Sequence, residues 1–177
     1  MKDIKDIIKK TELDVKKKYG YTNPHLIPQI TKVIIHRGLG EAITNSAVLD
    51  KTYELFYAIT GQKPVFTRAK KSISNFKLRE GQIVGCKVTL RSQRMLNFLT
   101  NLLYVSLPKI RDFRGLNQSG CDKGGNFSFG IVDDSIFPES NTDLDKLRGM
   151  DVTICTTASS KDELLFYLRG IGVPFKR

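Results

Sequence analysis

Between Thr67 and Gly85 the chain carries five cations, Arg68, Lys70, Lys71, Lys77 and Arg79, before its first acid, Glu80, with one aromatic residue, Phe76, among them. Cations at this density hold phosphates, and an aromatic or guanidinium plane stacks on an unpaired base, so the combination suits RNA. The stretch is also long for a hairpin loop, and such loops are commonly functional. Covalent chemistry is harder to assemble. His25 sits beside a proline and His36 inside a strand, and neither has metal-ligand spacing. Cys86, Cys121 and Cys155 are far apart, odd in number and in no CxxC pattern, which argues against a disulfide framework or a zinc site. Asp133 and Asp134 are adjacent and would point in different directions on any regular element. GLGE at 38–41 lacks the third glycine of a dinucleotide fingerprint and the lysine of a P-loop, so it is expected to be a turn that needs positive φ. The sequence therefore suggests a binding protein with no cofactor and not an enzyme.

The overall charge points the same way. The 177 residues hold 29 Lys and Arg against 18 Asp and Glu, a net of +11. Residues 1–100 carry 19 of the cations and 8 of the acids, so all of the excess lies there. A concentrated excess is a footprint for a polyanion, and nucleic acid is favoured over a membrane surface. No run approaches the ~18 apolar residues of a membrane span, and MKDIKDIIKKTELDVKKK has acids among its bases and no apolar signal core. One segment has the opposite sign: 133–145, DDSIFPESNTDLD, holds five acids, Asp133, Asp134, Glu139, Asp143 and Asp145, and no base. It reads either as a solvated loop or as a docking edge for a basic protein, where complementary potential sets register.

The elements that must carry these groups follow from hydrophobic period. Residues 2–19 read as an amphipathic helix with Ile4, Ile7, Ile8, Leu13 and Val15 on its apolar side. KVIIHRGLG contains a strand, and 46–59 is a helix stopped near Gly61 and Pro64. A short strand lies around 64–68. CKVTLR alternates, with Val88 and Leu90 on one face and Lys87, Thr89 and Arg91 on the other. Residues 93–107 form a helix ended by Pro108. NFSFGIV and MDVTICTT alternate as strands. Ser160 and Glu163 form a capping box for a last helix. Helices and strands mix without strict βαβ order, so the expected class is α+β, a largely antiparallel sheet with helices on one face, in a single domain spanning 1–177. Within it are an N-terminal helix (1–20), a mobile basic loop (72–84) and an acidic loop (133–146).

GLGEA, TGQKP, TRAKKS, GCKVTLR, PKIRDFRGL, GGNFSFG, IFPE, RGMDVTICTTA and the final PFKR, in this order, resemble the bacterial-type large-subunit ribosomal protein five, the family that binds 5S ribosomal RNA. The resemblance runs from about residue 15 to the C-terminus. It implies an antiparallel sheet with helices packed on it and a protein that joins 5S RNA to the large subunit at the central protuberance, among large-subunit RNA and neighbouring ribosomal proteins. It implies that Gln62 and Thr89 grip 5S RNA, with Lys63, Arg68, Lys70, Lys71, Lys87 and Arg91 on phosphates. His36 and Arg37 stand where the family usually has Asn-Met, His36 able to donate a hydrogen bond and Arg37 adding a charge. It implies that the 72–84 loop reaches the tRNA in the peptidyl site through Ser74, Asn75, Phe76, Lys77 and Arg79. Ser74-Asn75 replaces the usual Ala-Gly, and Asn75 is expected to take any left-handed turn. The acidic segment, which departs most from the family pattern, corresponds to an edge facing a basic protein of the small-subunit head. Lysine outnumbers arginine 19 to 10, as in AT-rich genomes, so a plastid ribosome in the stroma and a bacterial cytoplasmic ribosome both fit.

A free RNA-binding module using the same basic face is the alternative, and a nucleotide-dependent enzyme built on GLG stands as the contrast. If about five cations neutralise phosphates, the log–log salt slope of RNA affinity is expected at roughly −3.5 to −4.5. A slope near zero in a salt titration would remove the phosphate contacts.

Overall fold

The computed structural model describes residues 4–40, 47–140 and 148–176. Five strands form one antiparallel sheet in the order β2-β3-β1-β5-β4, and with the helices they make an α+β fold. The strands are β1, Ile30–Gly38; β2, Val65–Arg68; β3, Ile83–Leu90; β4, Asn126–Ile131; and β5, Met150–Thr156. The main helices are α1, Ile4–Tyr19; α2, Ala47–Thr60; α3, which starts as Ser92–Asn101; and α4, Lys161–Ile171. The chain forms two compact units. One comprises Met1–Val33, Arg91–Phe129 and Thr153–Arg177, the other Ile34–Leu90 and Gly130–Val152.

In the first unit α1 packs on α4. The expected apolar stripe of α1 is corrected at one position: Leu13 is 58% exposed, and Thr11 takes the inward place. Thr11 can be buried because its hydroxyl donates to the Ile7 carbonyl at 2.8 Å. It also meets Gly170, where an added Cβ would overlap Thr11 Cγ2 and lie 2.9 Å from Oγ1. A bulkier Leu would not fit so close an approach. At the start of α4, the Ser160 hydroxyl accepts the Glu163 N–H at 3.3 Å, and the Glu163 carboxylate reaches back to the Ser159 N–H at 2.9 Å. The Ser160 half of the box is the usual one, and only the return bond from Glu163 lands one residue further out, on Ser159 instead of Ser160. The other Glu163 oxygen accepts from Tyr21 Oη at 2.6 Å, which pushes the Tyr21 phenol up to about 12.

Helix α3 does not stop at Asn101. It widens into π-helical bonding over Leu102–Ser106 and closes with a last turn, Leu107–Lys109. Pro108 has no N–H to give and its ring crowds the carbonyl four residues back, so a widened turn just before it is physically reasonable.

The second unit is built on one-sided strands. In β3, Cys86, Val88 and Leu90 are buried, Lys87 is exposed and Thr89 half-buried between them. In its part of β1, Ile35 and Arg37 point inward and Ile34 and His36 lie half-buried on the opposite side. Helix α2 covers the inner face of β3 through Phe56 and its neighbours. The GLG turn is a correction. Gly38 belongs to β1, neither it nor Gly40 takes positive φ, and the Leu39 N–H still bonds the Val84 carbonyl at 2.8 Å, so pairing with β3 continues where a turn was expected.

Alanine normally stabilises a helix over glycine by about 1 kcal/mol. Gly170→Ala is expected instead to cost about 1–3 kcal/mol in urea unfolding, by overpacking against Thr11. Thr11→Ala in the same chain should recover most of the loss.

Candidate nucleic-acid interface

The two residues singled out for 5S RNA are brought together. Helix α2 ends at Thr60, and Gly61, at φ 64°, turns the chain with its N–H on the Tyr57 carbonyl at 2.8 Å. A left-handed glycine after the last helical residue and a proline three residues later form a helix stop. Thr60 Oγ1 donates to the Phe56 carbonyl and accepts the Gln62 N–H at 3.2 Å. So held, Gln62 sends Nε2 to the Thr89 carbonyl at 3.1 Å. The Thr89 side chain lies on the same outward face of β3 as Lys87.

Position 85 shows why that face is shaped as it is. Thr67 of β2 pairs with Gly85 of β3. A Cβ on Gly85 would lie 2.8 Å from the Arg37 carbonyl of β1, 2.8 Å from Thr67 Oγ1 and 3.1 Å from His36 Nε2. Only glycine lets the His36 ring and the Thr67 hydroxyl close over the middle strand. Neither Thr67 nor Gly85 was singled out from sequence. The available signal was a glycine inside a strand pattern, which marks a close approach.

Beyond Thr67 the β2–β3 register slips, a bulge of the kind that bends a strand end. The basic stretch then continues as a laced hairpin. The Ala69 N–H bonds the Gln82 carbonyl at 2.8 Å, the Gly81 N–H bonds the Ala69 carbonyl at 3.0 Å, and Ile73 and Leu78 exchange bonds of 2.9 and 3.1 Å. Side chains tie the arms as well: Ser72 Oγ accepts the Glu80 N–H and Arg68 Nη1 donates to the Gly81 carbonyl, while within the returning arm Gln82 Oε1 accepts the Arg79 N–H. The tip is a 3-10 turn, Ser74–Phe76, and Phe76 on it is 72% exposed. The left-handed residue is Lys77, at φ 50°, and not Asn75. The left-handed position thus falls two residues later than expected, with the Lys77 N–H on the Ser74 carbonyl.

Lys63, Arg68, Lys70, Lys71, Lys77, Arg79 and Lys87 are all exposed in this unit. In the other unit Arg91 is exposed at the residue preceding α3. Arg37 is a correction. It is 3% exposed, on the inward face of β1, and paired with Asp134 at 2.9 Å. Its guanidinium also donates to the carbonyls of Gly149 at 2.9 Å and Arg148 at 3.1 Å and lies over the Phe56 ring. Burial lowers its pKa from the ordinary value and the carboxylate of Asp134 opposes that shift. The group has no surface to offer a phosphate.

The same burial corrects the acidic edge at Asp134, which is 1% exposed. Asp133 is half-buried and caps the 3-10 turn Asp134–Ile136, its two oxygens accepting from Ser135 N and Oγ at 2.8 Å each. Glu139 is half-buried. Asp143 and Asp145 lie outside the described residues. Among the described residues no group of His, Cys, Asp and Glu could hold a metal ion, and no helix is long and apolar enough to cross a membrane. The Cys86 thiol is buried, which pushes it up to about 11 and makes it a poor nucleophile. The geometry offers hydroxyls, an amide and cations on an open strand face, which is equipment for binding.

Residues 23–79 match the family described as Ribosomal protein L5, and residues 83–175 match the model of that ribosomal family's C-terminus. The chain is 49% identical over 162 residues to the large ribosomal subunit protein uL5 of Symbiobacterium thermophilum, covering 91% of this chain and 90% of the relative. It is 47% identical over 164 residues to the same-named protein of Desulfotalea psychrophila, covering 92% of each. It is 49% identical over 162 residues to that of Thermosipho melanesiensis, covering 91% and 89%.

Gly85→Ala is expected to cost about 1–3 kcal/mol of stability, read as a lower urea midpoint, and to displace the His36 ring, read as a shift of its imidazole NMR signals. An unmoved ring would mean that the notch has slack.

Proposed function

The chain belongs to the ribosomal protein L5 family, a structural and non-catalytic component of the large ribosomal subunit, and we propose that within that subunit it binds 5S ribosomal RNA through the outward face of β3. The observation that carries this reading is the Gln62–Thr89 contact beside exposed Lys87. The helix stop delivers an amide to the edge of a strand whose outward side chains are a hydroxyl and an ammonium. A hydroxyl can bond a phosphate oxygen or a ribose 2′-OH, the group that distinguishes RNA from DNA. His36 and Thr67 extend the polar face, while Lys63, Arg68, Lys70, Lys71 and Arg91 supply phosphate contacts that set register without reading sequence.

The laced hairpin is the tRNA-contacting element in this proposal. Its tip offers Ser74, Asn75 and Phe76, with Lys77 and Arg79 behind them. A preformed tip reaches the tRNA of the peptidyl site with little left to order, which favours repeated contact. The acidic edge, through Asp133, faces a basic protein of the small-subunit head. A bacterial cytoplasm or a plastid stroma houses the ribosome concerned, the named relatives being bacterial.

A gel-shift titration against 5S RNA and an unrelated hairpin of equal length, at two salt concentrations, tests the reading. Tight binding to 5S RNA that survives excess hairpin is expected. Equal, salt-labile binding to both would favour the free RNA-binding module. Thr89→Val should lower 5S affinity by about tenfold, the ~1.4 kcal/mol of one hydrogen bond, with an unchanged far-ultraviolet spectrum. Lys77→Ala with Arg79→Ala should leave 5S affinity near wild type and weaken tRNA retention on the assembled ribosome. Equal loss of both would show that the hairpin belongs to the 5S site.

A further inference from the structure

We infer that Arg37 is a positioning residue for the acidic segment: it bolts the turn at Asp134 and the backbone at Arg148 and Gly149 to the strand that carries His36, and so holds Asp134 inward while Asp133 stays toward the surface. The inference rests on the reading in which that segment docks a basic protein.

Arg37 and His36 are consecutive in β1 and lie on opposite faces. From the inner face, the Arg37 guanidinium makes three bonds to two places. Nη2 donates to Asp134 Oδ2 at 2.9 Å, in the turn where the acidic segment begins. Nε donates to the Gly149 carbonyl at 2.9 Å and Nη2 to the Arg148 carbonyl at 3.1 Å, where the chain returns to β5. Its plane lies over the Phe56 ring of α2, 5.4 Å from the centroid. A planar fork with fixed donor directions holds two partners at a set angle, which a lysine ammonium on a flexible stem does not.

The stems are close enough for this to matter. A Cβ on Gly149 would lie 2.7 Å from the Ile131 carbonyl and 3.4 Å from that of Val132. The returning backbone therefore passes directly against the backbone that leads into the segment. With Asp134 paired inside and Glu139 half-buried with its Oε2 enclosed, the described acid of the segment that still reaches the surface is Asp133, whose carboxylate is oriented by Ser135. A buried ion pair is a poor way to gain stability compared with an apolar pair of similar size. What it supplies is direction, and direction is what an electrostatic docking edge needs.

The test uses the full chain in three forms: wild type, Arg37→Met with Asp134→Leu, and Arg37→Lys. The apolar pair removes both charges together, so no charge is left buried alone. Its urea midpoint and 5S RNA affinity are expected to stay near wild type. Cleavage by an arginine-specific protease after Arg148 should rise at least tenfold, and affinity for a synthetic arginine-rich dodecapeptide should fall about tenfold. Arg37→Lys keeps the charge and loses the fork, so cleavage should rise about threefold. It also guards against a double variant that fails to fold. Wild-type cleavage and peptide affinity in Arg37→Lys, or in a folded double variant, would overturn the inference. If the wild-type chain itself ignores the peptide, the docking reading fails, and the cleavage rates still decide whether Arg37 anchors the stems.

Discussion

Each strand that has a role here is constrained to bury one face and leave the other polar. Val33 and Ile35 of β1 and Cys86, Val88 and Leu90 of β3 are buried. Fully burying an aliphatic side chain contributes about 1.5–3 kcal/mol, and a slip of one residue would turn every one of them to water. Register is therefore fixed strongly. Everything on the other face, His36, Gly85, Lys87 and Thr89, is positioned as a by-product of that burial.

The same constraint explains the ion pair. Position 37 is an inward position of β1, so a charged side chain there must find a partner inside. Asp134 provides it, and carbonyls of Gly149 and Arg148 accept from Nε and from the second Nη2 proton. A residue that looked like one more surface cation thus became an internal tie, and one of the five acids of the acidic segment went with it. The outward charge of both surfaces is smaller than a count of residues implies.

Preparation before binding is a second consistent feature. The Gln62 amide is already held against Thr89, and the basic hairpin is already laced along both arms. A polar face assembled in advance would leave less conformational entropy to lose in the proposed RNA complex. Lys77 in a left-handed conformation at the tip is the local cost: a non-glycine residue is held there by the bond from its N–H to the Ser74 carbonyl and by the Ile73–Leu78 pair.

By itself the sequence determined the α+β class, the one-sided strands, the helix stop at Gly61, the cap at Ser160 and the concentration of charge, because each depends on periods and signals spanning a few residues. The ordered motifs identified the family for a related reason, since many short patterns in a fixed order rarely coincide. Only the tertiary structure decided that Arg37 meets Asp134, 97 residues away, that Thr11 displaces Leu13 against Gly170, that His36 and Thr67 close over Gly85, and that Lys77 and not Asn75 turns the hairpin. Three of these are packing between segments distant in sequence, where the fit of two surfaces settles which side chain is admitted. The fourth follows from how the two hairpin arms pair, which fixes the residue left to reverse the chain.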